Sequence, residues 1–284
     1  MLHVVFVLSM LLVSIFGVFI NVFLFWKFLK KDKNEGGFLT YCLAKTVSNS
    51  IVCSSFLFWV VPITALSLSY EEIPRLLNAL IGQLAGFGAY VAGALIELFM
   101  AADRCSVIFD PSINFKRANS IVLFVFLVSL VYVLMGLVPA SCGFVFDPEI
   151  FIWRPEESDC AVFMENLILY TIYGTFVLSN SFNLITFAKL CMGRVDGISS
   201  SEMMRRRRRR IRFFIQSFIQ NCLHMTDMIN FNFISNMYDA TWFKFVFNSM
   251  SLLTIHALDG FVMFMFQPNV QPRSKRNSSV VMTI

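Results

Sequence analysis

Charge is scarce in this chain. Asp, Glu, Lys and Arg make up 14% of its 284 residues, whereas 57% are hydrophobic and 33 are Phe. A water-soluble domain of this length needs more charge to cover its surface, so a soluble globular fold is excluded. There are three histidines, and no two stand at metal-ligand spacing. A glycine-rich phosphate loop is lacking, and no nucleophile has an adjacent base. The sequence therefore predicts no metal centre, no cofactor and no enzymatic reaction. No Lys or Arg precedes the first apolar run, which is also longer than the roughly 7–15 residues of a signal-peptide core. That run is expected to stay as a helix.

What is present is a succession of apolar runs. A membrane-spanning helix needs about 20 of them in a row, and backbone polar groups cannot be left open in hydrocarbon, so the runs are read as helices. The spacing predicts spans at Val4–Phe28, Leu39–Leu68, Leu76–Val107, Ser120–Ala140, Val162–Leu190, Phe213–Phe233 and Trp242–Phe266, with a short polar tail over 268–284. The expected fold is an all-α membrane protein, a single seven-transmembrane helix bundle.

Basic residues set its orientation. Nineteen of the 23 Lys and Arg fall at one set of helix ends, from Lys27, Lys30, Lys31 and Lys33 through Lys116 and Arg117 to Arg273, Lys275 and Arg276. The other ends carry Arg75, Arg154 and Lys244 among acids such as Glu71, Glu72, Asp147, Glu149, Glu156 and Asp239, while Lys45 lies inside the second run. The alternation predicts an outside N-terminus and a cytoplasmic C-terminus. Six consecutive arginines, Arg205, Arg206, Arg207, Arg208, Arg209 and Arg210, precede the sixth span. They hold that end in the cytoplasm against anionic lipid, and they also suit an acidic protein surface. In a chain of this kind they are no sign of nucleic-acid binding.

Ionisable residues at membrane depth each need an account. The third span ends in Asp103-Arg104-Cys105, with Ile108 and Pro111 following. An arginine there can snorkel to the interface, but snorkelling leaves the spacing unexplained. In that spacing the chain resembles the rhodopsin-like G-protein-coupled receptors, whose third helix ends in Asp-Arg-Tyr with Ile five and Pro eight residues after the Asp. Cys105 stands in place of the Tyr. A closer resemblance is to the nematode chemoreceptors of serpentine receptor class x. It rests on Gly17-x-x-x-Asn21, on Asn49 with Phe56-Leu57-Phe58-Trp59-Val60-Val61-Pro62, and on the Asp-Arg-Cys stretch. Phe213-Phe214-Ile215-Gln216 with Gln220, and Asp259-Gly260, complete it.

The resemblance covers nearly the whole chain. It implies a receptor at the plasma membrane, in a sensory cilium, that takes a small extracellular ligand and signals to a heterotrimeric G protein. Asp103, Arg104, Cys105 and Pro111 would serve coupling. Asn21, Asn49 and Asp259 lie at comparable depth, roughly 9–17 Å from the inner helix ends at about 1.5 Å per residue. They form a polar network, either a switch or plain interhelical hydrogen bonding, and the resemblance admits a sodium ion beside the acid. His224 and Asp227, at i and i+3, either satisfy each other between helices or anchor a ligand. Glu97, two turns before Arg104, reads as a buried acceptor. Cys142 and Cys160 flank an acidic loop on the oxidising side, where a bridge is permitted; the resemblance supports that bridge over two free thiols.

Departures limit the transfer. The superfamily's Asn-Pro-x-x-Tyr is here Asp259-Gly260-Phe261-Val262-Met263, the sixth span has no Pro, and its inner end is basic and offers Arg104 no acid. A transporter or ligand-gated channel is the alternative. It predicts internal repeats or helices broken at matching positions of two halves, and neither is found.

Overall fold

The computed structural model describes residues 2–30, 37–109, 117–138, 142–192 and 200–266; of these, 190–192 and 200–210 are described by helical backbone alone. Pro111 and the tail 268–284 lie outside the described residues. Seven long helices dominate: α1 (Leu2–Leu29), α2 (Gly37–Ala65), α3 (Arg75–Phe109), α4 (Ala118–Leu137), α5 (Asp159–Met192), α6 (Ser200–Asn232) and α7 (Thr241–Met265). All but α6 are long and apolar enough to cross a membrane. Their outward faces carry Leu12, Phe19, Leu123, Leu127 and Leu184, all exposed. Such a surface suits lipid and not water.

The helix α6 is built inside out. Gln216, Ser217, Gln220, Asn221, His224 and Asp227 recur at three- and four-residue steps and are all buried. Ile215, Phe218 and Ile229, on the opposite side, are exposed. One stripe of a helix is thus polar and faces the bundle, and this makes α6 less apolar than the other six. The helix also begins earlier than the apolar run predicts: it continues through Arg205–Arg210 back to Ser200. Arginine is a good helix former, and apolarity fixes the lipid-covered length of a helix, not its full length. At the other extreme α2 stops short of the expected Leu68, its chain turned away by Ser67 in the left-handed region (φ 52°).

Three helices contain a wide π turn, at Phe56–Val60, Gln83–Ala89 and Val246–Met250. The first precedes Pro62, which has no N–H to give. There Val61 N–H bonds back to Phe56 O, so the helix re-registers around the proline instead of breaking.

Between α4 and α5 lies a two-stranded antiparallel hairpin, β1 (Phe144–Asp147) and β2 (Ile152–Pro155). The aromatic, β-branched residues suit strands, and Asp147 Oδ1 accepts the Glu149 N–H within the turn (2.9 Å). Isolated hairpins are marginal, and this one is held on both edges. Asn78 of α3 brackets β1, donating to Phe146 O (2.9 Å) and accepting from Phe146 N (3.1 Å). On the β2 side Asn248 accepts from Trp153 N (3.4 Å), and Ser249 donates to Phe151 O (2.7 Å). Trp153 and Phe144 stack with centroids 6.0 Å apart, and Phe144 lies over Gly82 and Gly86 of α3, where no Cβ would fit. A disulfide joins Cys142 to Cys160 across the hairpin's base. Beside it Glu156 takes both Arg75 Nε (2.5 Å) and Arg75 Nη2 (2.9 Å), and accepts the Gly143 N–H (2.8 Å). Burial alone would raise the Glu156 carboxyl. Arg75, the Gly143 N–H and Arg154 together outweigh it and hold the group below the ordinary value.

Candidate functional site

At mid-depth the bundle closes around three buried charges. Lys45 of α2 is fully buried and pairs with Glu97 of α3 and with Asp259 of α7, whose Oδ1 is 2.9 Å from Nζ. Asp259 also accepts from Asn49 Nδ2 (2.6 Å) and Gln220 Nε2 (2.9 Å). Asn49 reaches Asn21 Oδ1 (3.2 Å), and its own Oδ1 meets His256 Nδ1 (2.9 Å). Asn21 in turn donates to Gly17 O (2.8 Å). A Cβ on Gly260 would lie 2.6 Å from Asn21 Oδ1, so the Asp-Gly pair supplies both an acid and room for the amide that serves it.

The network continues toward the Arg-rich end. Glu97 Oε2 accepts from Ser217 Oγ (3.2 Å), and Ser217 Oγ accepts from the Arg104 guanidinium. Arg104 also donates to Phe213 O (2.8 Å), Met100 O (3.1 Å) and Asn183 Oδ1 (3.5 Å). Among the described residues no carboxylate pairs with Arg104. Neutral oxygens of α5 and α6 serve instead, which answers the missing acid at the basic end of α6. Asp103, beside it, is half-buried, and Cys105 is buried. A continuous polar path thus runs Asn21–Asn49–Asp259–Lys45–Glu97–Ser217–Arg104 through α1, α2, α7, α3 and α6.

Burying an ion is tolerated only with a partner and satisfied hydrogen bonds, and here one ammonium serves two carboxylates, with Asn49, Gln220 and Ser217 donating to the remaining oxygens. The Lys45 ammonium occupies the flank of Asp259 where a sodium ion would have to sit, so the residues present do not fit a sodium site.

Toward the hairpin end, a cavity opens between α3, α5, α6, α7 and Phe144. It encloses about 590 Å³ of free space, open mouth included. Phe87, Tyr90, Ile168, Met228 and Leu252 line it, with Asp227 and Glu165 as its carboxylates. A polar vestibule above shares Glu165, Leu169, Phe231 and Asn232 with it. A smaller compartment below shares Ile172 and Met228 and reaches Glu97, Asn221 and His224. The three compartments thus lie one below another from the hairpin to the polar core, divided by the residues they share.

His224 and Asp227 both border this space, but they do not pair. Asp227 Oδ1 accepts from Ser251 Oγ (2.8 Å), and His224 Nε2 has no hydrogen-bond partner. The i, i+3 spacing puts the two on one face, where the ring and the carboxylate turn to different neighbours. The rings of His224 and His256 stand 5.6 Å apart, and each faces Tyr90.

The structure brings Asn21, Asn49 and Asp259 together and leads Arg104 to them. Lys45 carries no role in the sequence analysis, where it is one basic residue inside an apolar run. The available signal was its position: an ammonium in mid-span requires buried acids, and Glu97 and Asp259 were at hand. His256 and Ser217 gave no comparable signal. The side chains of Arg205–Arg210 lie outside those described.

No curated protein matches the chain. The profile of the serpentine type 7TM GPCR chemoreceptor Srx family matches residues 11–267, and the chain, a multi-pass membrane protein with a seven-helix bundle, belongs to that chemoreceptor family.

Proposed function

We propose that this chemoreceptor binds a small ligand in the cavity under the hairpin and signals through a heterotrimeric G protein at the opposite end. In this reading the hairpin end faces outward and the Arg104 end lies in the cytoplasm, as the basic residues favour. The plasma membrane of a sensory cilium is the place of use. The observation that carries the reading is the path from the cavity floor to Arg104. Glu97 borders the lowest compartment and is joined to Arg104 through a single hydroxyl, Ser217.

Arg104 grips the start of the apolar part of α6 at Phe213 O and Ser217. Moving that end of α6 outward breaks both bonds and frees the guanidinium for a partner. Asp103 and Cys105 flank it in sequence, and the run Arg205–Arg210 precedes Phe213 on the helix that it holds. A ligand drives the change only by binding the open arrangement better than the closed one.

The test is nucleotide exchange on G proteins by the receptor in membranes, comparing wild type with Arg104→Ala at matched expression across odorant and peptide panels. Ligand-stimulated exchange that the variant loses supports the reading, and stimulation unchanged in the variant overturns the role of Arg104. Ligand-evoked ion flux without exchange would favour the channel alternative.

A further inference from the structure

Every buried carboxylate among the described residues has a cation beside it except one. Lys45 serves both Glu97 and Asp259, Arg154 serves Asp147, and Arg75 serves Glu156. Asp227 is left over. It is 3% exposed, it takes a hydroxyl bond from Ser251, and no Lys or Arg pairs with it among the described residues. It borders the cavity, Glu165 adds a second carboxylate to the same wall, and the lining contains no basic side chain. One turn away on α6 is His224, 8% exposed, its Nε2 unpartnered, on the wall of the compartment beneath. Residues three apart on a helix are roughly 5–6 Å apart at Cβ, so one small polar group at this level reaches both. The remaining walls, Phe87, Phe144, Ile168, Ile172 and Met228, are apolar.

We propose that this cavity takes a small organic cation, a protonated primary amine on an apolar body. Its ammonium sits between Asp227 and His224, and Glu165 attracts it from the cavity wall. The ammonium has three N–H donors. Asp227 accepts one, and His224 accepts another at Nε2 when its own proton is on Nδ1.

The other ligand classes fit worse. An anion would meet two carboxylates and no cation. A neutral apolar molecule would strip water from Asp227 and His224 and return no hydrogen bond, which is the costly way to bury polar groups. A metal ion has no set of three His, Cys, Asp or Glu ligands among the described residues. The cations of the vestibule do not bar entry: Arg154 is paired with Asp147 and Glu157, and Lys244 with Asp239.

The inference rests on the receptor reading only for the ligand's role as a signal, so its test reads binding without a G protein. The full-length receptor is purified into lipid nanodiscs. Its thermal unfolding is followed with butylamine, cyclohexylamine and phenethylamine, each against the alcohol of the same skeleton. The expected result is an upward shift in Tm with at least one amine and none with its alcohol. Asp227→Asn should weaken that amine by roughly tenfold or more, the loss of one bond to a charged group, and Glu165→Gln by less.

Equal shifts from alcohol and amine overturn the proposal. So does the absence of a shift from every amine at millimolar concentration, or unchanged amine binding in Asp227→Asn. If that variant does not fold, the amine–alcohol contrast in wild type and the Glu165→Gln series decide the matter. Amine binding without nucleotide exchange would count against G-protein coupling and leave the site standing. Exchange evoked by neutral ligands alone would do the reverse.

Discussion

The two ends of the bundle are fastened in different ways. At the hairpin end a disulfide, a two-pronged Arg75–Glu156 pair and two bracketing asparagines fix β1 and β2 onto α3 and α7. At the other end Arg104 holds α6 through a backbone carbonyl and a hydroxyl, both neutral acceptors. Bonds of this kind in membranes are worth about 0.6 kcal/mol on average, whereas a disulfide contributes roughly 2–4. The contrast suits a molecule that keeps its hairpin end in shape and lets its opposite end move. Between the two ends the Lys45 cluster has no slack, since each buried charge depends on another.

Breaking the middle should have the largest effect. Lys45→Met leaves Glu97 and Asp259 buried without their cation, and truncating one partner of such a group costs about 3–5 kcal/mol. The variant should yield little monodisperse receptor on size-exclusion chromatography. Adding Asp259→Asn should recover part of the yield, because it removes one of the stranded charges. A yield equal to wild type for Lys45→Met would show that the cluster is not what joins the helices.

The hairpin end comes next. Cys142→Ser with Cys160→Ser should lower the unfolding free energy by roughly 2–4 kcal/mol, read as a lower Tm, with basal nucleotide exchange unaffected. A change in basal exchange would mean the two ends are not independent.

Ser217→Ala sharpens the comparison from the other side. It removes the hydroxyl between Glu97 and Arg104, a loss of about 0.6 kcal/mol. Basal exchange should rise roughly threefold, with little change in Tm.

The smallest effect belongs to Glu156, half of whose partnership is solvent-screened because the Arg75 side chain is 53% exposed. Its carboxyl is depressed in the folded state, so its contribution is complete above the ordinary value of 4.5 and lost as pH falls through the lower folded value. Glu156→Gln should cost about 0.5 kcal/mol at neutral pH, as for a screened pair. The gap in Tm between variant and wild type should close in acid.

The apolar runs made all seven spans legible, because lipid-facing residues such as Leu12, Leu127 and Phe218 are apolar wherever they fall in a span. They could not place the start of α6, since Arg205–Arg210 continue a helix without belonging to its apolar length. The hairpin was hidden for a different reason. Four-residue strands leave little periodicity, and their pairing depends on Asn78 and Asn248, which are distant in sequence. The polar core was half visible: Asn21, Asn49 and Asp259 stood out as polar residues at matching depth. Lys45 did not, because matching it to Glu97 and Asp259 requires knowing which faces of three helices meet. The spacing of His224 and Asp227 puts them on one face, yet what each turns to is set by other helices, Ser251 for the carboxylate and the rings of Tyr90 and His256 for the imidazole.

The inverted pattern of α6 has a consequence for how the molecule is made. A lone aspartate at the centre of a helix raises the free energy of membrane insertion by about 2.5–3.5 kcal/mol, and Asp227 is accompanied by Gln216, Gln220, Asn221 and His224. Offered alone to a bilayer, this segment has little reason to leave water or the interface. Asp227 finds Ser251 and Gln220 finds Asp259 only when α7 is already beside it. The sixth helix is therefore a late arrival by composition, admitted as one of a pair, and the order of assembly is written in which side of it is polar.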